Sequence, residues 1–169
     1  DRVDIANNSQ AELFLSIHAN ANHVKRVNGF EVYYVSPSVS DSQRALSAAH
    51  EAKLHLDGAC FANHSFNLEA TLWDMIYARS RANSVRLGRH ICQAIGDSLD
   101  TRILGIKEAR FYVLKGARMP ALLVEIGFLS NYNEERMLAN NYYLQKIADG
   151  IASGLESYTR DFALARVAR

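Results

Sequence analysis

A chain of 169 residues has the length of one domain that can bury its own core without disulfide staples. Its 49% apolar and 22% charged composition is that of an ordinary globular protein. A formal net charge of +1 gives no electrostatic case for nucleic acid or an anionic membrane, and no apolar run approaches the roughly eighteen residues of a membrane span.

In chain order, Arg2 to Gln10 reads as the end of a helix, and Leu13 to Ile17 as a strand. A polar loop follows and closes at Gly29. Phe30 to Val35 is a second strand, stopped by Ser36-Pro37-Ser38. Ser40 or Asp41 caps a helix running through Gln43 to about Leu56. Asp57 to Asn67 is the least regular stretch. A long helix is predicted from Glu69 to Leu99, with Leu87, Ile91, Ile95 and Leu99 forming a stripe at four-residue spacing that faces a sheet. Phe111 to Leu114 is a predicted third strand and Ala121 to Val124 a fourth. Asn131 caps a short helix, Asn133 to Leu138. The last helix starts near Asn141, carries Ile147, Ile151 and Leu155 on one face and stops near Tyr158, so that 1–160 form the domain and 161–169 a tail. Strands alternating with helices imply an α/β fold, a mostly parallel sheet flanked by helices in three layers. Cys60 and Cys92 read as free thiols, with one bridge in an oxidising compartment as the alternative.

Two apolar runs end on an ionisable residue: Leu13-Phe14-Leu15-Ser16-Ile17 on His18, and Ala121-Leu122-Leu123-Val124 on Glu125. Such runs suit strands buried on both faces, and in open α/β sheets ligands bind beyond the carboxyl ends of the strands. His18 alone is either a hydrogen-bonded core residue or a ligand. Glutamate is almost never buried without a partner. Glu125 is therefore either half of an ion pair, with Arg110 or Arg118, or a general base in a cleft with its pKa raised by burial.

Ser16-Ile17-His18-Ala19-Asn20-Ala21 and Val124-Glu125-Ile126-Gly127-Phe128-Leu129-Ser130-Asn131 together resemble the second-histidine and catalytic-glutamate motifs of the zinc-dependent N-acetylmuramoyl-L-alanine amidases of the amidase-3 family. The resemblance extends over Arg2 with Ala6-Asn7, Gly29 to Tyr34, Ser80 to Leu87, Phe111 to Leu114 and the helix around Ile147 to Ile151. It implies a Zn2+ hydrolase that cuts the amide between N-acetylmuramic acid and the L-alanine of the peptidoglycan stem peptide, periplasmic or extracellular in location. By the same resemblance His18 is a zinc ligand, Glu125 is the catalytic base, and Asn20 lies near the floor of the site without an assigned role.

The family's other zinc ligands lie upstream of any matching residue, and one histidine cannot make a zinc site of three or four protein ligands. With no starting Met before Asp1, the chain is expected to be the carboxyl-terminal portion of a longer catalytic domain. His23, His50, His55, His64 and His90 match no zinc spacing and read as solvated or locally bonded. Some family members insert a helix that plugs the site until an activator protein withdraws it. The stretch from Asp41 to Trp73 stands at that place, with Glu51, Asp57 and Glu69 as carboxylates that could reach a metal; a surface excursion plus a sheet-covering helix is the alternative. Two other readings of the whole chain remain: an inactive wall-binding or regulatory member, and a different α/β metallohydrolase.

Overall fold

The computed structural model describes residues 2–35 and 64–167. The elements are α1 (Arg2–Asn8), β1 (Phe14–Asn20), β2 (Phe30–Val35), α2 (His64–Ser98), β3 (Ile103–Ala109), a 3-10 turn (Tyr112–Leu114), β4 (Ala121–Phe128), α3 (Tyr132–Leu138) and α4 (Asn141–Val167). The four strands form one sheet in the order β1-β4-β2-β3. β1 runs parallel to β4 and β2 parallel to β3, while β2 and β4 are antiparallel. The sheet is thus mixed, with two of its three pairings parallel, and the α/β class holds.

Strand alternation divides the core between two faces. On one, Phe30, Val32, Leu122 and Val124 pack against Leu87, Ile91 and Ile95 of α2 and Ile147, Ile151 and Tyr158 of α4. Of the predicted stripe, Leu87, Ile91 and Ile95 are buried on α2 while Leu99 lies just past the helix and is partly buried; each fully buried side chain contributes roughly 1.5–3 kcal/mol by leaving water. Glycines on α4 let the two helices meet closely: a Cβ on Gly154 would lie 2.6 Å from the Ile91 Cα. On the other face Ala121 and Leu123 meet Val3 and Ala6 of α1 together with Leu114, Ala117 and Met119. Helix, sheet and helix-plus-turn make the three layers.

The structure departs from the sequence reading in four places. Ile103–Ala109 is a strand that the sequence did not suggest. It contains Gly105 at φ +88° and the charged pair Lys107-Glu108, features of an edge rather than a buried strand. Phe111 to Leu114, predicted as a strand, forms a 3-10 turn instead. Leu114 is buried while Tyr112 is 77% exposed, so the β-forming residues serve the second core layer and not a ladder. β1 is not buried on both faces: it pairs only with β4 among the described strands, and Ile17 is 53% exposed. Finally α4 does not stop near Tyr158 but continues through residues 161–167, with Phe162 packed against the core. The helix expected from Gln43 to Leu56 lies outside the described residues.

Candidate active site

β4 is one of the two inner strands, and Glu125 occupies its middle. β4 is buried along almost its whole length, as its apolar sequence demands. The strand does not end at Glu125 but runs on to Phe128, and β1 runs past His18 to Asn20. Between His18 and Asn20 on β1 the register shifts, so that Asn20 faces Phe128. Such a bulge re-aims side chains, and it lies immediately beyond the two residues of interest. Ile126 and Gly127, the latter at φ +149°, stand opposite the single residue Ala19 there.

His18 and Glu125 are register partners across β1 and β4, and Glu31 is the register partner of Glu125 across β4 and β2. An imidazole and two carboxylates therefore stand in one row on one sheet face. Neighbouring strands lie about 4.7–4.9 Å apart. His18 is half-buried, and its Nε2 lies 2.7 Å from the Ser16 hydroxyl. Its Nδ1 has no recorded partner among the described residues.

The two carboxylates differ sharply in surroundings. Glu31 is 2% exposed and well supplied with donors. Its Oε1 accepts from Asn20 Nδ2 at 2.9 Å and from the Tyr33 hydroxyl at 2.9 Å, and its Oε2 accepts from Lys107 Nζ at 2.6 Å. This set suits an ionised carboxylate. Glu125 is 7% exposed, and its Oε2 is buried without a hydrogen-bond partner among the described residues. Burial first, and the facing Glu31 charge second, push its pKa up to about 7. Tyr33 is raised to about 12 by burial and by its bond to Glu31. The ion-pair reading of Glu125 is corrected here: neither arginine pairs with it among the described residues. Arg118 lies over the Trp73 ring, 4.8 Å from its centroid, and Arg110 is exposed.

Sequence reasoning passed over Ser16, Glu31, Lys107 and Glu134. Glu31 was visible as one acidic residue between Phe30 and Val32 in an apolar strand, but Lys107 belongs to the strand that was missed. Glu134 is buried in the first turn of α3, where its Oε1 accepts from the Gly29 N–H at 2.8 Å and its Oε2 from the Phe128 N–H at 2.7 Å. It thereby ties the start of β2 to the end of β4. Its spacing from Asn131 is that of a capping box, yet it serves other amides. Asn131 caps α3 as expected, accepting from the Asn133 and Glu134 amides. His90 is locally bonded, to Ser157 and Asp161. Glu51, Asp57, His50 and His55 lie outside the described residues; Glu69 falls within α2, its side chain beyond what is described.

As to a metal, a free imidazole nitrogen and an unpartnered buried carboxylate oxygen are the donor chemistry a zinc-activated hydrolase uses. Among the described residues no three His, Cys, Asp or Glu side chains gather as a ligand set. They fit part of a site and not the whole.

A mixed α/β sheet with an imidazole and a desolvated carboxylate in one central row defines a hydrolase-like class of site. Residues 1–157 match the Amidase_3 family, N-acetylmuramoyl-L-alanine amidase, and the chain belongs to that family. It is 34% identical over 160 residues to the N-acetylmuramoyl-L-alanine amidase AmiA of Salmonella typhimurium, covering 94% of this chain and 55% of AmiA. It is likewise 34% identical over 160 residues to the amidase LytC of Bacillus subtilis, covering 95% of this chain and 24% of LytC. The crystal structure of the N-acetylmuramoyl-L-alanine amidase from Clostridium difficile 630 superposes with a TM-score of 0.65 at 27% identity, over 95% of this chain and 64% of that one. The chain spans about half the length of AmiA and less of LytC.

Proposed function

We propose that the protein hydrolyses the amide between N-acetylmuramic acid and L-alanine in peptidoglycan, with Glu125 as the catalytic base and His18 as one ligand of a zinc ion. The observation that carries this reading is the register pairing of His18 with Glu125, the latter bearing a buried, unpartnered oxygen. Family membership and the names of the relatives support the substrate class. Zinc, when bound, supplies polarisation of the scissile carbonyl and a more acidic water.

The chain's own groups do the rest. A carboxyl raised to about 7 has a basicity matched to work near neutral pH. Glu125 takes a proton from the attacking water and returns it to the leaving nitrogen of L-alanine. Its dry setting keeps the charge it gains or loses unscreened. Glu134 holds β2 and β4 in the register that keeps this row aligned.

The substrate places the activity in the cell envelope, periplasmic or extracellular. No helix among the described residues is long and apolar enough to cross a membrane. A plug formed by the stretch from Asp41 to Trp73, with Glu51, Asp57 and Glu69 as its carboxylates, and an activator protein that withdraws it, belong to this proposal on the sequence alone.

Metal analysis and turnover on muropeptides by the full-length protein test the assignment. About one zinc per chain is expected, lost in His18→Ala. Glu125→Gln keeps the metal and loses turnover by about 10²- to 10⁴-fold. A fully active Glu125→Gln protein removes the base assignment, and a metal content indifferent to His18 removes the ligand assignment.

A further inference from the structure

We infer that Lys107 is a substrate-binding residue, its ammonium held by Glu31 beside the catalytic row to receive a carboxylate of the peptide, one or two residues beyond the scissile amide. This deepens the amidase reading and rests on it.

Glu31 and Lys107 are costly to keep as they are. The Glu31 side chain is 3% exposed and that of Lys107 45%. Removing an ionised carboxylate from water costs several kcal/mol, and a pair so placed is weak evidence of a stabilising role, since apolar side chains of similar volume usually serve a core at least as well. The pair does not fill a core. Gly105 and Lys107 alternate along β3 onto the face that carries Glu31, Tyr33 and Glu125, as the pairings Glu31–Gly105 and Tyr33–Lys107 show.

The bonding is asymmetric. Glu31 is satisfied by three donors: Asn20, Tyr33 and Lys107. An ammonium has three N–H donors. Among the described residues Glu31 is the only acceptor recorded for Lys107, its other contact being the Tyr33 ring 5.8 Å away. Two donors of a half-exposed cation are left over, and the buried carboxylate fixes where they stand. That prepays the ordering of a long flexible side chain, which otherwise weakens lysine as a binding group.

Position selects the ligand. Glu31 stands one strand spacing, about 4.8 Å, from Glu125, and the Lys107 ammonium lies 2.6 Å from its Oε2. A peptide residue spans about 3.3–3.6 Å. With the scissile amide at Glu125, a group one or two residues along the peptide falls at Lys107. A cation with spare donors there favours an anion, and the anion a peptide offers is a carboxylate.

The test uses the full-length protein and two muropeptides that differ only in whether the second stem-peptide residue carries a free carboxylate or a primary carboxamide. Wild type is expected to favour the carboxylate by about 10- to 100-fold in kcat/KM, the worth of a charge-assisted hydrogen bond, with most of the effect in KM. In Lys107→Met that ratio collapses toward one, and in Lys107→Arg it is largely kept. A preference that survives Lys107→Met, no preference in wild type, or an equal loss on both substrates overturns the inference; the last is what a purely structural role gives. If Lys107→Met fails to fold with Glu31 left unpaired, the neutral pair Glu31→Gln/Lys107→Met carries the same expectation. Calorimetric binding of both muropeptides to Glu125→Gln separates the two proposals. Carboxylate-selective binding without wild-type turnover supports Lys107 and sinks the amidase assignment, whereas binding of neither muropeptide overturns both.

Discussion

Replacing Glu125 by Gln is expected to stabilise the metal-free protein at neutral and alkaline pH, because the native residue is kept at a cost. In the unfolded chain this carboxyl titrates near 4.5, and in the folded protein burial and the Glu31 charge raise it to about 7. The folded state therefore holds the proton more tightly. The contribution of this group to stability is fully present below pH 4.5 and is lost as pH rises to 7, at up to about 1.4 kcal/mol per pH unit. The accumulated loss is about 3 kcal/mol by pH 8. Gln keeps the shape and carries no charge, so it is spared that loss. Urea unfolding of the chelator-treated protein should give nearly equal stabilities for wild type and Glu125→Gln at pH 4, diverging to about 3 kcal/mol in favour of the variant at pH 8. Taking the difference between the two proteins cancels the other titrating groups. Parallel stability–pH curves for the two proteins would refute the reasoning, since an unburied or already paired carboxylate gives no divergence.

Three further outcomes follow from contacts away from the charge row. Gly154→Ala places a Cβ 2.6 Å from the Ile91 Cα and 2.9 Å from its amide nitrogen; backbone cannot swing aside, so the α2–α4 contact must open, with a loss of about 1–3 kcal/mol visible as a lower Tm. Glu134→Ala strands the Gly29 and Phe128 amides. At about 1–3 kcal/mol per buried unsatisfied donor, the cost is roughly 2–6 kcal/mol in urea unfolding, and Glu134→Gln, with one acceptor oxygen, recovers only part of it. Cys92, pushed to about 11 by burial, is about one part in a thousand thiolate at pH 8. Iodoacetamide should leave its tryptic peptide unlabelled in the native protein and label it in urea; rapid native labelling would contradict the burial.

What could be read from the sequence was set by how local its cause is. The α2 stripe and the short helix after Asn131 follow from neighbours three and four residues apart, and both are present. The strand from Phe30 to Val35 is likewise local in its β-branched and aromatic content. β3 was missed because Gly105, Lys107 and Glu108 lower its strand propensity, and only pairing with β2 overcomes that. The Phe111–Leu114 segment failed in the opposite sense: good strand formers were recruited to cover the second face of the sheet. The same split governs the site. His18 and Glu125 were visible as ionisable residues interrupting apolar runs. Their adjacency, and the insertion of β4 between β1 and β2, are facts of topology that no local pattern carries.

That insertion explains why two glutamates in one row can have separate roles. β4 lies between β1 and β2. With β4 between them, Glu125 has an imidazole on one side and an acid on the other, and no recorded partner for its Oε2. Glu31, one strand further out, reaches Lys107 on β3 and the hydroxyl of Tyr33 on its own strand. Two carboxyls so close cannot both ionise cheaply. The charge on Glu31, which three donors surround, helps Glu125 hold a proton near neutral pH. Strand order, not the identity of either glutamate, therefore decides which of them is left beside the imidazole with an unpartnered oxygen.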